Sequence, residues 1–186
     1  MDDLEKLVEE GRRTGKVTFT SAEANKMLRM LNDSRDMDLS EEREKCTFIA
    51  ATIEKVEDVR PEYDFGKAQK DVAQMEEAIR KLKHEINKFN VSTVVDGFDM
   101  TIDEMLVYIP QMTEKVRKLS RMASVLQKSR VAGTGKNSSI IEYEYANYDV
   151  EEAKKAYKEA YEELSRAQNA LDVVNNTVKG ITIDLT

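Results

Sequence analysis

The chain has 186 residues and a mass of 21.3 kDa, one domain's worth of polypeptide. Charged residues make up 35% and hydrophobic residues 40%, with only 7 Gly and 2 Pro, which excludes a disordered chain and fits long, surface-rich helices. The formal charge is −7, distributed as −4, +1 and −4 over residues 1–60, 61–130 and 131–186, so no segment offers the clustered cations that nucleic-acid binding needs.

No run approaches the ~20 apolar residues of a membrane-spanning helix. The start, Met1-Asp-Asp-Leu-Glu, lacks the basic and apolar regions of a signal peptide. The single cysteine, Cys46, cannot form an internal disulfide. A cytoplasmic location is expected from these features.

Residues 1–37 read as two short helices, the first striped by Leu4, Leu7 and Val8. The second is opened by Thr20-Ser-Ala-Glu23, a capping box in which hydroxyl and carboxylate satisfy each other's backbone donors. With 1–39 as an N-terminal two-helix segment, residues 40–186 form the main body. Ser40 is expected to cap a third helix carrying Cys46, Ile49, Ile53 and Val56 on one buried stripe, ended by Pro61.

Val72, Met75, Ile79, Leu82, Ile86 and Phe89 then repeat at 3-4 spacing, a coiled-coil-like seam. The β-branched run Val91–Val95 breaks the helix, Asp96-Gly97 turns the chain, and Thr101-Ile-Asp-Glu104 is a second capping box. From Ile102 a seam continues through Met105, Ile109, Met112, Val116, Leu119, Ala123 and Leu126, in phase across Pro110. Residues 131–139 are a loop by composition, and 140–146 alternate as a half-buried strand with Ile141, Tyr143 and Tyr145 facing inward. A last long helix carries Val150, Ala153, Tyr157, Ala160, Leu164, Ala167, Leu171, Val174 and Val178 on its seam. Gly180 closes it, and 181–185 alternate as a strand. The expected fold is mainly α: a long antiparallel helical bundle, with residues 91–95, 140–146 and 181–185 pairing into one small sheet at one end.

Glu85-Ile-Asn-Lys-Phe-Asn90, Thr93-Val-Val-Asp-Gly97 and Thr101-Ile-Asp-Glu-Met-Leu106 stand in that order, followed by Ile141-Glu-Tyr143, Tyr148-Asp-Val150 and Leu171-Asp-Val-Val-Asn175. These runs resemble a bacterial septicolysin-like family of small helical proteins over about residues 45–185. The resemblance implies a long-helix bundle with short strands. It brings no catalytic, cofactor or metal residue, and the cytolysin-style name implies membrane action only by its label.

Catalytic motifs fail one by one. Gly133-Thr-Gly-Lys-Asn-Ser138 glances at a phosphate loop, but Arg130 stands where the first glycine should and Asn137 follows the lysine. One histidine, His84, cannot build the paired Glu-x-x-His of a di-iron bundle, a zinc set or a metalloprotease motif. Cys46 falls on an apolar stripe, where an inert buried thiol is the ordinary outcome. No cofactor, metal or catalytic residue is assigned, and the chain reads as a non-enzyme.

Two groups remain as candidate interaction residues. Lys115, Arg117, Lys118 and Arg121 form the densest basic group and suit an anionic partner. Tyr143, Tyr145, Tyr148, Tyr157 and Tyr161 concentrate in the last quarter, where they suit the edge of a core or a subunit interface. The reading that follows is a self-associating helical interaction or scaffold protein: a homo-oligomer with an unidentified protein partner and no nucleic acid. One alternative is membrane action through the helix over 102–130, with Met105, Ile109 and Met112 as its apolar face. Another is docking of a regulatory partner or nucleic acid by the N-terminal helices through Lys26, Arg29 and Arg35, which is weakened by Asp33, Asp36 and Asp38 beside them.

Overall fold

A computed structural model describes residues 15–131 and 141–184. Of these, 67% are helical, in five helices accompanied by small antiparallel ladders of short strands. The chain divides into two compact units, one made of the residues up to 92 together with those from 174 onward, the other of residues 93–173.

In the first unit, β1 (Lys16–Thr20) alternates, burying Val17 and Phe19 while Thr18 faces outward. Its partner is β6 (Lys179–Asp184), antiparallel, with Val17 opposite Ile183, Phe19 opposite Ile181 and the two threonine hydroxyls of Thr18 and Thr182 3.0 Å apart. The capping box forms as the sequence predicts: Thr20 Oγ1 accepts from the Glu23 amide at 3.2 Å and Glu23 Oε2 accepts from the Thr20 amide at 2.8 Å. It starts α1 (Ser21–Lys45). A connection over 46–64, containing only the single turn α2 (Val56–Val59), leads to α3 (Phe65–Ser92). Asp64 opens α3 by accepting from the Lys67 amide at 3.0 Å.

Helices α1 and α3 pack antiparallel: Gln69 near the start of α3 donates to Glu42 near the end of α1 at 2.6 Å. Along the α3 seam Val72, Met75 and Ile79 are half-buried, while Leu82, Ile86 and Phe89 are buried where β6 joins the packing.

Several expectations are corrected here. Residues 16–20 are strand, because Val17 and Phe19 find an apolar partner in β6 that no local pattern announces. α1 runs unbroken through Ser40, so the expected break between 39 and 40 lies inside it. One serine costs a helix only a few tenths of a kcal/mol against the flanking Glu and Arg residues. The expected third helix is absent: Cys46, Ile49 and Ile53 lie outside any helix, and Cys46 is exposed rather than buried. The strand segments do not share one sheet; each belongs to its own two-stranded ladder. Gly180 lies within β6, not at a helix end. The β1–β6 register skips it, and the Phe89 ring occupies the space where a side chain would begin. The expected helix at Leu4, Leu7 and Val8 and the loop around Gly133 lie outside the described residues.

In the second unit, β2 (Val94–Val95) and β3 (Met100–Thr101) make a hairpin closed by Gly97 and Asp99, both in the left-handed region at φ +79° and +48°. Thr101 and Glu104 form the second capping box, starting α4 (Ile102–Ala123), which contains Pro110. Glu104 accepts hydrogen bonds from both the backbone and the hydroxyl of Thr101, and these hold its carboxyl below the ordinary glutamate value of 4.5. α4 ends at Ala123, not near residue 130, since Lys128–Arg130 is drawn into β4, antiparallel to β5 (Tyr143–Tyr145). The seam position Leu126 is consequently exposed.

Asp149 accepts from the amides of Glu151 and Glu152 at the start of α5 (Val150–Thr177). On α5 the positions Val150, Ala153, Ala160, Leu164, Ala167, Leu171 and Val174 are buried, as their spacing predicts, whereas Tyr157 is half-buried and Val178, placed on the same seam, lies past the helix end and is exposed. Met112 of α4 packs with Ala160 and Leu164, flanked by Tyr108, Ile109, Val116 and Leu119. The Tyr108 hydroxyl donates to Glu163 at 3.3 Å; burial first, then Glu163, raises its pKa.

Two outcomes follow. A Cβ at position 180 would lie 2.5 Å from Phe89 Cε2, so Gly180→Ala is expected to cost about 1–3 kcal/mol in urea unfolding; an unchanged midpoint would refute the close packing. The Glu104 contribution to stability, because its folded pKa is depressed, is present above the ordinary value and is lost as pH falls through the folded one. Thr101→Ala, which removes the hydroxyl from the box, is expected to cost about 1 kcal/mol at neutral pH and less in acid, measured by denaturation at both pH values.

Candidate interaction surfaces

The first unit carries a recess of about 450 Å³ between the last turns of α1, the end of the 46–64 connection and the first turns of α3. Six carboxylates, from Asp38, Glu41, Glu42, Glu62, Asp64 and Asp71, line it against two lysines, Lys45 and Lys67. Two carboxylates are held in place: Glu42 accepts from the Tyr63 hydroxyl at 2.9 Å as well as from Gln69, and Glu41 pairs with Lys45. The Glu41–Lys45 contact lowers the pKa of the acid and raises that of the base. The Tyr63 pKa is raised, by burial first and then by its hydrogen bond to Glu42.

Along the connection leading to this recess, apolar side chains face solvent. Ile49 is 96% and Ile53 94% exposed, and Met37 and Phe65 on the flanking helix ends are exposed as well. Single exposed hydrophobic residues need no explanation, whereas several along one connection make this segment a candidate interaction surface. Sequence reasoning missed it because Cys46, Ile49, Ile53 and Val56 keep helical spacing. The contrary signal was the β-branched density of Thr47-Phe-Ile-Ala-Ala-Thr-Ile53.

The sequence-predicted residues fall in the second unit. Arg117, Lys118 and Arg121 lie on the side of α4 opposite Met112 and Leu119, and Lys115 is also exposed. Arg117 pairs with Glu114, whereas among the described residues no ion pair engages Lys115, Lys118 or Arg121. The tyrosines do not form one cluster. Tyr157 and Tyr161 sit a turn apart on α5 with ring centres 6.2 Å apart. Tyr148 is half-buried and donates to the Met122 carbonyl at 2.9 Å, closing the end of α4. Tyr143 and Tyr145 are exposed, correcting the half-buried strand, because the face expected to be covered is turned to solvent.

The β4–β5 ribbon instead has a defined chemistry. Lys128 stands opposite Tyr145 and Arg130 opposite Tyr143, and cross-strand partners share a face. One face therefore carries two cations and two tyrosines, while Ser129 and Glu144 occupy the other. The Lys128 ammonium lies 4.1 Å from the Tyr143 ring centre and 5.2 Å from that of Tyr145. Gln127 anchors the ribbon, donating to the carbonyls of Ala146 and Tyr148 and accepting from the Val150 amide.

The remaining candidates have plain placements. His84 is exposed on α3, and no group of three His, Cys, Asp or Glu side chains among the described residues could hold a metal ion. Met105 and Met112, the apolar face assigned to membrane contact, are buried in the second unit. No described helix is long and apolar enough to cross a membrane. Of the N-terminal bases, Arg35 is paired with Asp36 at 2.7 Å.

No protein-family model and no curated protein matches the chain. Among solved structures, the chain is similar to a functionally unknown conserved protein from Corynebacterium diphtheriae, at 17% sequence identity and a TM-score of 0.53. The likeness covers 87% of this chain and 98% of that one. At this identity the two share a fold, and the likeness carries no activity from one to the other.

The exposed Cys46 thiol yields a direct check on this end of the first unit. At dilution low enough to keep copies apart, it is expected to react with a thiol reagent as completely as in denaturant; a thiol that reacts only after unfolding under those conditions would contradict the exposed connection.

Proposed function

We propose that this protein works without catalysis, as a self-associating helical interaction protein that binds other macromolecules. The observation that carries the reading is the near-complete exposure of Ile49 and Ile53 on a long connection that ends in an acidic recess. The connection is irregular over 46–55 and again over 60–64, on either side of α2, and binding residues are disproportionately found on such loops. Burying two isoleucines between molecules would contribute about 1.5–3 kcal/mol each, a gain that neither unit takes for itself.

The buried rows on α3 and α5 support a further part of the proposal, that they act as coiled-coil-like seams of a helical bundle. The septicolysin-like relation belongs to the same proposal and rests on the residue runs that suggested it. Absence of enzymatic activity is likewise proposed, on the single exposed histidine and the failure of each motif tested.

Light scattering of the full chain over a concentration series tests the reading. A species larger than a monomer, growing with concentration, is expected; a monodisperse monomer throughout would overturn self-association. Ile49→Asp with Ile53→Asp is expected to weaken that association while changing unfolding free energy by no more than about 0.5 kcal/mol, as befits exposed positions.

A further inference from the structure

The charge map of the molecule is uneven in a way that names a partner. At one end of the first unit, six carboxylates face two lysines around a recess, and the connection whose two ends reach that recess carries the exposed Ile49 and Ile53. In the second unit, the ribbon face made by Lys128, Arg130, Tyr143 and Tyr145 carries no carboxylate, and its tyrosines are exposed. Tyrosine and arginine are the residue types that anchor protein interfaces, because they combine large apolar area with directional polar groups. Carboxylates around an apolar surface are what such a cationic, aromatic face complements.

From this complementarity we infer that the ribbon of one copy docks against the acidic recess and apolar connection of a second copy. The inference rests on the self-association proposed above and specifies its contact. Lysine and arginine of the ribbon meet the recess carboxylates that have no cation of their own, and the tyrosine rings cover the isoleucines of the connection. Tyr143 and Tyr145 project from the same side of β5, two residues apart, so both can meet one surface at once.

The two surfaces are different patches of the chain, so the contact is heterologous. Each copy offers one ribbon and receives one, and assembly proceeds head to tail until it closes into a ring or continues as a chain. Because charge contributes, the association weakens as salt rises. The complementarity is local to the two faces, since the second unit as a whole carries more carboxylates than cations.

Charge reversal on each side tests this. One full-length variant carries Lys128→Glu and Arg130→Glu; the other carries Glu62→Lys and Asp71→Lys, which leaves the capping residue Asp64 and the bonded Glu42 intact. Sedimentation velocity is read on wild type, on each variant and on their mixture, with circular dichroism confirming helix content. Each variant alone is expected to self-associate at least about tenfold more weakly than wild type, and the mixture to recover association because opposite charges again meet.

Wild type that stays monomeric at every concentration and salt removes self-association itself. Wild type that associates while the ribbon variant associates equally well overturns the docking mode and leaves self-association standing. Two monomeric variants that fail to combine also overturn the mode, since complementarity is then not what joins the copies. Should a reversed variant lose helix content, the neutral pair Lys128→Gln and Arg130→Gln and the single Tyr145→Ala replace it; they are expected to weaken association in the same direction, and undiminished association overturns the mode.

Discussion

The ladder between β1 and β6 is the constraint on which the first unit depends. It joins residues separated by more than 160 positions, as in the Thr18–Thr182 pair. Val17, Phe19 and Ile181 become core only when the two strands meet. The chain entropy lost in closing so long a loop grows only slowly with its length, so the closure is thermodynamically affordable. Pairings of such high sequence separation are the kind that slow folding in general, whereas local helices and hairpins form fast. The second unit, lying wholly between residues 93 and 173, needs no such closure, since its hairpin, caps and helix pair are all drawn from neighbouring chain.

That difference also governs what could be read from residues. Both capping boxes were legible, because Thr and Glu three positions apart satisfy each other within one turn and need nothing from elsewhere. The α5 row from Val150 to Val174 was legible for a similar reason: one face of one helix is buried along its length. β1 was not, because Lys16-Val-Thr-Phe-Thr20 becomes a strand only beside β6. The early end of α4 was hidden by the in-phase Leu126. Local spacing favoured helix there, and pairing of Lys128–Arg130 with Tyr143–Tyr145 overrode it.

Of the candidate surfaces, sequence reasoning found the materials but not their arrangement. The tyrosines were singled out without their cations, and only the β4–β5 register shows that Lys128 and Arg130 share a face with Tyr143 and Tyr145. The acidic recess is drawn from residues 38 to 72 across three segments, none of which is unusual for its charge alone. Net charge by thirds blurred both surfaces, since Glu114 and the paired Lys45 cancel in a sum what geometry keeps apart.

The Gln127 amide has a role that reaches past its own position. Its oxygen caps the Val150 amide at the start of α5, while its nitrogen holds the carbonyls of Ala146 and Tyr148. A single planar group thus fastens the ribbon to the first turn of a long helix. The Val150 amide at the helix mouth and two carbonyls at the ribbon's foot depend on one side chain, so Gln127 is where the two elements share a fastening.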